Sequence, residues 1–164
     1  MNPEIDLLAF AAVENLKAAG LTVTTAESCT GGMISAALTE VPGASAVFRY
    51  GWVTYCNEAK ERLLSVPAEL IEEHSVVSEP VVAAMAQAAM RQSGADIAVA
   101  VSGNAGPTAA EGEPPVGTVC LALARRGAAR PLHTETLHLT GLNRRQIRQR
   151  VVAKALQLIA GAAG

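Results

Sequence analysis

Residues 95–101, with the sequence ADIAVAV, constrain the fold of this chain more than any other segment. A strand that is apolar at nearly every position is expected where both faces of a sheet are covered. Helices are therefore required on both sides of the sheet that contains this strand. The predicted fold is α/β, a three-layer α/β/α domain with a mixed, mostly parallel sheet.

Apolar and turn-forming residues divide the rest of the chain into helices and strands of ordinary length. Helices are expected where apolar residues recur every three or four positions, and strands where β-branched and aromatic residues cluster. The predicted helices are 3–19, 33–40, 57–64, 67–73, 78–90 and 143–160, and the predicted strands are 21–25, 47–55, 95–101, 116–124 and 132–139. Gly20, the pair Pro42 and Gly43, and a Gly/Pro-rich segment at 102–115 separate them.

The composition favours one domain with a core of small aliphatic side chains. A chain of 164 residues fits a single domain, residues 1–164, with a sizeable core. Half of the residues are hydrophobic but only 3% are aromatic, so Ala, Val, Leu and Ile must fill that core. A net charge of −2 gives no basis for specific nucleic-acid binding, and no apolar run has the length of a membrane span.

The cysteines and histidines favour a reduced, cytoplasmic protein without a structural metal. Cys29, Cys56 and Cys120 are an odd number and show no CxxC or Cys/His spacing. The three histidines are not in ligand spacing either, so no metal and no cofactor are expected. The first six residues carry acidic rather than basic side chains, which does not favour a signal peptide.

A serine stands at the junction between the first predicted strand and the next helix. In the sequence TAESCTGG, Ser28 follows Glu27 and precedes Gly31 and Gly32. Free backbone N–H groups and the positive end of the helix dipole converge at such a turn, which suits an anion or an oxyanion. The alternative is that Ser28 or Thr30 only caps the helix, and the local sequence leaves both interpretations open.

Lys60 is the candidate base for a serine nucleophile, since no histidine is well placed for this role. It falls in the first turn of a predicted helix, after the aromatic and apolar strand 47–55. The helix dipole and apolar surroundings would both lower the pKa of an amine, and Ser-Lys pairs are a known form of serine activation. Tyr55 could relay a proton or only anchor the end of the strand. The alternative for Lys60 is a solvated surface charge.

Two further segments are candidates for binding an anionic substrate. Residues 103–106, Gly-Asn-Ala-Gly, follow the apolar strand, and open α/β sheets bind ligands at the carboxyl ends of strands. An ordinary glycine-rich connection is the alternative. The last helix begins with four arginines at positions 144, 145, 148 and 150, although cations there oppose the helix dipole. They favour a phosphate held by guanidinium groups, or a basic patch facing solvent or another subunit.

Several motifs together resemble those of a known family. AESCTGG occupies 26–32, GWVTYCNEAK 51–60, VVSE 76–79, and SGNAGP with PPVGTV 102–107 and 114–119. In this order they resemble the CinA C-terminal domain family, the nicotinamide-nucleotide amidases. The similarity extends from about residue 7 to residue 158.

This resemblance implies hydrolysis of the carboxamide of nicotinamide mononucleotide (NMN) to nicotinate mononucleotide and ammonia, without a metal or other cofactor. The serine and lysine of the family fall on Ser28 and Lys60, with Tyr55 beside them, and we expect these three residues to be catalytic. The substrate is expected to contact Glu27, Thr30, Gly31, Gly32, Gly103, Asn104, Ala105, Gly106 and Arg144. Backbone N–H groups around residues 30–32 are expected to hold the oxyanion.

The chain departs from the family pattern at a few positions. Cys56 stands where the family commonly has serine, Asn104 replaces an apolar residue, and the segment 108–113 has fewer glycines. Three alternatives stay open at this point: Cys29 as a thiol nucleophile, a non-catalytic nucleotide sensor or partner-binding module, and weak DNA binding without sequence preference through the arginines of 144–150. The expected partner is the small nucleotide substrate, with no membrane and no specific nucleic acid. A homo-oligomer is expected, of unspecified size.

Overall fold

The computed structural model describes residues 2–164 and contains every predicted helix and strand. The helices are α1 (Pro3–Ala19), α2 (Met33–Thr39), α3 (Asn57–Leu64), α4 (Ala68–His74), α5 (Glu79–Ser93) and α6 (Arg144–Ala163), and the strands are β1 (Val23–Glu27), β2 (Phe48–Val53), β3 (Ile97–Gly103), β4 (Thr118–Arg125) and β5 (His133–His138). A short 3₁₀ helix, Ala44–Ala46, precedes β2. The main differences are shifts of one to three residues at the ends. The shift of β1 matters most, because it places Glu27 inside the strand.

The five strands form one mixed sheet in the order β2-β1-β3-β4-β5. β1 lies between β2 and β3 and is parallel to both. β4 is antiparallel to β3, and β5 is antiparallel to β4. Four of the five strands therefore run in one direction, and the carboxyl ends of β2, β1 and β3 are neighbours at one edge of the sheet.

The side chains of β3 explain why residues 97–101 of this strand are all apolar. Ile97, Val99 and Val101 point into a core formed with α1, α2 and α6, whereas Ala98 and Ala100 pack against α5 on the opposite face. Branched residues fill one layer, and alanines let α5 approach the other closely. The predicted three-layer α/β fold is thus confirmed.

The first turn of α6 is stabilised by a reciprocal cap. The side chain of Asn143 accepts from the N–H of Gln146 at 3.0 Å, and the side chain of Gln146 accepts from the N–H of Asn143 at 2.9 Å. This capping box satisfies two backbone donors and offsets the unfavourable arginines of the same turn. At α3, the capping position belongs to Cys56, which forms no side-chain capping hydrogen bond. No helix within residues 2–164 has the length and apolarity to span a membrane.

Candidate active site

Ser28 directly follows β1, at the edge of the sheet where three parallel strands end. Its N–H donates to the carbonyl oxygen of Val101 in β3 at 3.1 Å. On the other side, the N–H of Thr54, just after β2, donates to the carbonyl oxygen of Glu27 at 2.8 Å. These two bonds hold the serine turn between neighbouring strand ends, where open α/β sheets bind their ligands.

Lys60 and Ser28 are brought into contact although they lie 32 residues apart. Lys60 Nζ is 3.0 Å from Ser28 Oγ and 2.8 Å from the carbonyl oxygen of Thr54. A neutral amine has two hydrogens and one lone pair. It can therefore donate to Thr54 and accept the hydroxyl proton of Ser28 at the same time. The pair has the geometry of a nucleophile with its base, although the catalytic roles are still a prediction.

The surroundings of Lys60 favour its neutral form. The residue is 1% exposed, and Leu64, one turn later on the same face of α3, is equally buried. No carboxylate within residues 2–164 forms an ion pair with Lys60. Burial lowers the pKa of Lys60 below the ordinary value of 10.5, and the nearby thiols of Cys56 and Cys29 oppose this effect.

Cys29 is a poor candidate for the nucleophile. It is 5% exposed, and burial raises the pKa of its thiol to about 12. The reactive form of cysteine is the thiolate, which is scarce at neutral pH when the pKa is this high. The structure therefore does not support the alternative in which Cys29 attacks the substrate.

The carboxylate of Glu27 faces the start of α2 instead of a substrate, which corrects the sequence prediction. Its Oε2 accepts from Thr30 Oγ1 at 2.6 Å, from Gly32 N at 3.1 Å and from Ile34 N at 3.0 Å. Its Oε1 accepts from the N and Oγ of Ser35, both at 2.8 Å. Both Glu27 and Thr30 are 0% exposed. They form an internal cap that holds the serine turn against the helix.

The predicted oxyanion donors also need correction. The N–H of Gly31 donates to the carbonyl oxygen of Ser28 at 3.0 Å, and that of Gly32 is used by Glu27. Both glycines have positive φ angles, 58° and 98°, which glycine adopts without strain. The N–H groups of Cys29 and Thr30 donate to no oxygen within residues 2–164, so the candidate donors move to these two residues.

A cleft of about 220 Å³ opens beside the Ser28–Lys60 pair. Seven of the predicted site residues line it: Ser28, Tyr55, Lys60, Gly103, Asn104, Ala105 and Arg144. The other five, Glu27, Thr30, Gly31, Gly32 and Gly106, do not. The predicted catalytic residues and the loop after β3 thus share one cleft, whereas most of the serine turn lies behind it.

The cleft also has four lining residues that sequence reasoning did not assign to the site, Asn57, Val76, Val77 and Ser102, and it is lined by Cys29, the alternative nucleophile. Ser102 donates its hydroxyl hydrogen to the carbonyl oxygen of Val76 at 2.9 Å, which fixes the loop between α4 and α5 over the end of β3. The VVSE motif was the only signal available for Val76 and Val77. Nothing local indicates that this loop reaches the cleft.

Arg144 joins two walls of the cleft. Its Nη1 donates to the carbonyl oxygen of Gly106 at 2.6 Å, and its Nη2 donates to the hydroxyl oxygen of Tyr55 at 3.0 Å. The Tyr55 side chain is 60% exposed, and its hydroxyl forms no hydrogen bond with Ser28 or Lys60. These contacts do not favour Tyr55 as a proton relay, the first of the two alternatives, since only its carbonyl oxygen lies near Ser28 Oγ, at 3.4 Å.

The loop after β3 is held by its own contacts. Asn104 Nδ2 donates to the carbonyl oxygen of Pro114 at 3.2 Å, and its Oδ1 accepts from the N–H of Gly106 at 2.9 Å. A Cβ at Gly103 would lie 2.9 Å from the carbonyl oxygen of Thr118, so only glycine fits there. The N–H of Ala105 has no acceptor in the described chain and is the polar group left for a ligand.

A second cavity of similar volume lies at the opposite, amino ends of the strands. It is lined by Arg49, Asp96 and Arg126 among others. The carboxylate of Asp96 is already bound by the N–H and hydroxyl of Thr22, at 2.8 and 2.9 Å. This cavity has no pair comparable to Ser28 and Lys60, so we place the chemistry at the carboxyl ends. No cluster of metal-ligating side chains occurs in residues 2–164.

The family model described as the CinA C-terminal domain matches residues 6–162. The chain belongs to the CinA C-terminal domain family. It is 57% identical over 116 residues to a CinA-like protein of Akkermansia muciniphila, covering 71% of this chain and 27% of that protein. It is 46% identical over 144 residues to a CinA-like protein of Chlorobium luteolum, covering 87% and 33%. The chain thus spans about a third of the length of these curated relatives.

Solved structures of CinA proteins have the same fold. The competence/damage-inducible protein CihA of Agrobacterium tumefaciens superposes with a TM-score of 0.92 at 38% identity, covering 98% of this chain and 96% of that one. A CinA superfamily protein of Klebsiella pneumoniae gives a TM-score of 0.91 at 36% identity, covering 99% and 98%. The three-layer fold is therefore that of the CinA superfamily.

Proposed function

We propose that this chain hydrolyses the carboxamide of NMN and releases nicotinate mononucleotide and ammonia. The observation that carries the proposal is the 3.0 Å contact between Lys60 Nζ and Ser28 Oγ. The lysine is buried and unpaired by any carboxylate within residues 2–164, so it can be neutral and act as a base. NMN is chosen as the substrate because the chain resembles the nicotinamide-nucleotide amidases.

The first half of the reaction forms an acyl-enzyme. Neutral Lys60 accepts the proton of the Ser28 hydroxyl while Oγ attacks the carboxamide carbon. Negative charge develops on the carboxamide oxygen and is stabilised by the N–H groups of Cys29 and Thr30. The C–N bond then breaks, and the Lys60 ammonium gives its proton to the departing nitrogen, which leaves as ammonia.

The second half restores the enzyme. Water enters the site vacated by ammonia, and neutral Lys60 accepts one of its protons as the oxygen attacks the ester carbon. The ester bond to Ser28 Oγ breaks, and Lys60 returns the proton to that oxygen. The acid product ionises to nicotinate mononucleotide. Lys60 itself accepts and returns the proton in each half of the reaction. The Tyr55 hydroxyl takes no part, because it is bound to Arg144.

The cleft offers suitable surfaces for the rest of the nucleotide. Val76 and Val77 form an apolar wall for the pyridine ring, and the exposed Tyr55 ring can face its positive charge. The free N–H of Ala105 suits a ribose or phosphate oxygen. Arg144 supplies a cation for the phosphate if its contact with Gly106 or Tyr55 is exchanged for the ligand.

The proposal is tested by measuring ammonia release from NMN, nicotinamide riboside and free nicotinamide at equal concentrations. We expect the highest kcat/KM with NMN, because the riboside lacks the phosphate and nicotinamide lacks the ribose as well. Saturable NMN binding without ammonia release from any of the three would contradict an amidase. It would favour the non-catalytic nucleotide sensor instead.

The pH dependence of kcat/KM should follow the deprotonation of Lys60. The active base is the neutral amine, so activity rises with pH while Lys60 is mostly protonated and levels off above its pKa. Burial places that midpoint below 10.5. Lys60→Arg is the matched variant, because a guanidinium stays charged and no pH restores its activity. A kcat/KM that falls as the pH rises, or a Lys60→Arg variant that keeps the wild-type activity, would contradict Lys60 as the base.

Arg144→Ala should raise KM for NMN by about 10- to 100-fold with a change of less than about threefold in kcat. Hydrogen bonds to charged groups contribute about 1.5–3 kcal/mol, and a phosphate contact is made equally in the ground and transition states. Arg145→Ala is the control, since Arg145 is exposed and its side chain forms no hydrogen bond or ion pair in the described chain. A lower kcat with an unchanged KM would show that Arg144 does not bind the phosphate.

A further inference from the structure

We propose that Arg148 is a positioning residue that orients and polarises the peptide groups of the oxyanion hole. Arg148 lies one turn after Arg144 on α6, and its guanidinium group reaches back to the serine turn. This inference rests on the proposed amidase function. It assigns to Arg148 a role different from that of a phosphate ligand.

The guanidinium group of Arg148 contacts two successive carbonyl groups of the turn. Its Nε donates to the carbonyl oxygen of Cys29 at 3.0 Å, and its Nη2 donates to that of Thr30 at 3.2 Å. One planar edge thus bridges two peptides that lie more than a hundred residues away in the chain. These are charge-assisted bonds, which are stronger than bonds between neutral groups.

The bond to Cys29 acts on the N–H of Thr30. The carbonyl of Cys29 and the N–H of Thr30 belong to one planar trans peptide, in which the two groups point in opposite directions. Fixing the carbonyl therefore fixes the direction of the N–H. A cation at the carbonyl also polarises the peptide and strengthens its N–H as a donor. This N–H has no oxygen acceptor within residues 2–164.

The bond to Thr30 acts on the N–H of Cys29 through one further hydrogen bond. The carbonyl of Thr30 shares its peptide with the N–H of Gly31, which donates to the carbonyl of Ser28 at 3.0 Å. That carbonyl shares its peptide with the N–H of Cys29, the residue after the nucleophile. The hydrogen bond from Arg148 Nη2 to Thr30 therefore polarises the N–H of Cys29 as well. This is the second N–H of the turn that lacks an oxygen acceptor in the described chain.

The carboxylate of Glu27 lies in the same turn, but it is bound to Thr30 and the start of α2 and not to Arg148. Within residues 2–164 no carboxylate forms an ion pair with it, and both of its recorded hydrogen bonds go to the two carbonyls. The positive charge of Arg148 opposes the effect of the Glu27 carboxylate, as it does on the pKa of the Cys29 thiol, and favours negative charge that develops at Ser28 during attack. It is present before the substrate binds, so no rearrangement is required in the transition state.

The test compares Arg148→Ala, Arg148→Lys and the control Arg145→Ala in two assays. The first measures kcat and KM for ammonia release from NMN. The second measures the rate at which a fluorophosphonate labels Ser28, with Ser28→Ala as the blank. Labelling needs the same oxyanion donors but no nucleotide, so it decides the role of Arg148 even if NMN is not the substrate. Thermal melting curves establish that each variant is folded.

We expect Arg148→Ala to lower kcat and the labelling rate by about 10- to 100-fold, somewhat less than loss of an oxyanion donor, with KM within about threefold. Arg148→Lys should fall between wild type and Arg148→Ala, since an ammonium cannot bridge both carbonyls in a plane. Added guanidinium ion should restore part of the Arg148→Ala labelling rate, and Arg145→Ala should equal wild type. The inference is overturned if folded Arg148→Ala or Arg148→Lys keeps the wild-type kcat and labelling rate. A loss confined to KM would overturn it as well.

Discussion

Ser28→Ala should lower kcat for ammonia release from NMN by about 10⁶-fold, the order of the loss when a serine hydrolase is deprived of its nucleophile. The methyl group cannot attack the carboxamide, and no other nucleophile replaces it, because the adjacent Cys29 thiol has a pKa of about 12. The measurement is a coupled ammonia assay at saturating NMN. Ser45→Ala, a change at an exposed serine outside the cleft, is the control and should match wild type.

The Ser28–Lys60 pair predicts a second result in the same assay. Lys60→Met keeps an apolar stem in the buried site but removes the base, so its kcat should fall nearly as far as that of Ser28→Ala. The double variant should be scarcely worse than either single variant, since residues that act as a unit are not additive. Cys29→Ala should keep most of the activity. If Ser28→Ala or Lys60→Met keeps substantial turnover, Ser28 and Lys60 are not the nucleophile and base of the reaction.

Glu27→Gln should lower the free energy of unfolding by about 1–3 kcal/mol, because at least one buried donor at the start of α2 loses its acceptor. The carboxylate is fully buried and accepts five hydrogen bonds from the start of α2. An amide has one acceptor oxygen, so its NH₂ group must face donors such as the N–H of Ser35, which then loses its partner. Each unsatisfied buried donor costs about 1–3 kcal/mol.

Urea unfolding at neutral pH measures this change. Glu58→Gln is a suitable control, because Glu58 is exposed and bonds only to the exposed Arg62, at 3.0 Å. Its stability should stay within about 0.5 kcal/mol of wild type. A change below about 1 kcal/mol for Glu27→Gln would mean that the donors find other acceptors, and the internal cap would not be essential.

The fold was largely predictable because its main signals are local. The apolar pattern of 95–101 demanded cover on both faces, and β3 has Ile97, Val99 and Val101 on one face and Ala98 and Ala100 on the other. Gly20 marked the end of α1, where it adopts a left-handed conformation. Element ends were less accurate, because hydrogen bonds to neighbouring strands extend β1 and β3 beyond the residues that favour strands by themselves.

The candidate site was predictable in part. Ser28 was identified from its turn and Lys60 from its place in a helix after an aromatic strand, and the two side chains are in contact. Glu27 was misassigned because a glutamate beside a serine resembles a ligand-binding residue in sequence. The two-residue shift of β1 and the inward direction of the side chain make it a cap for α2 instead.

The sequence by itself determined the order of helices and strands, the small-residue core and the serine turn with its two glycines, since each depends on the periodicity or conformational preference of nearby residues. The tertiary structure decided which groups meet at the carboxyl ends of the strands. Only folding places Val76 and Val77 over the cleft, Arg144 on Tyr55, and Arg148 on the carbonyls of the turn. Burial, the cause of the lowered pKa of Lys60, likewise arises from packing between distant segments, which no local pattern records.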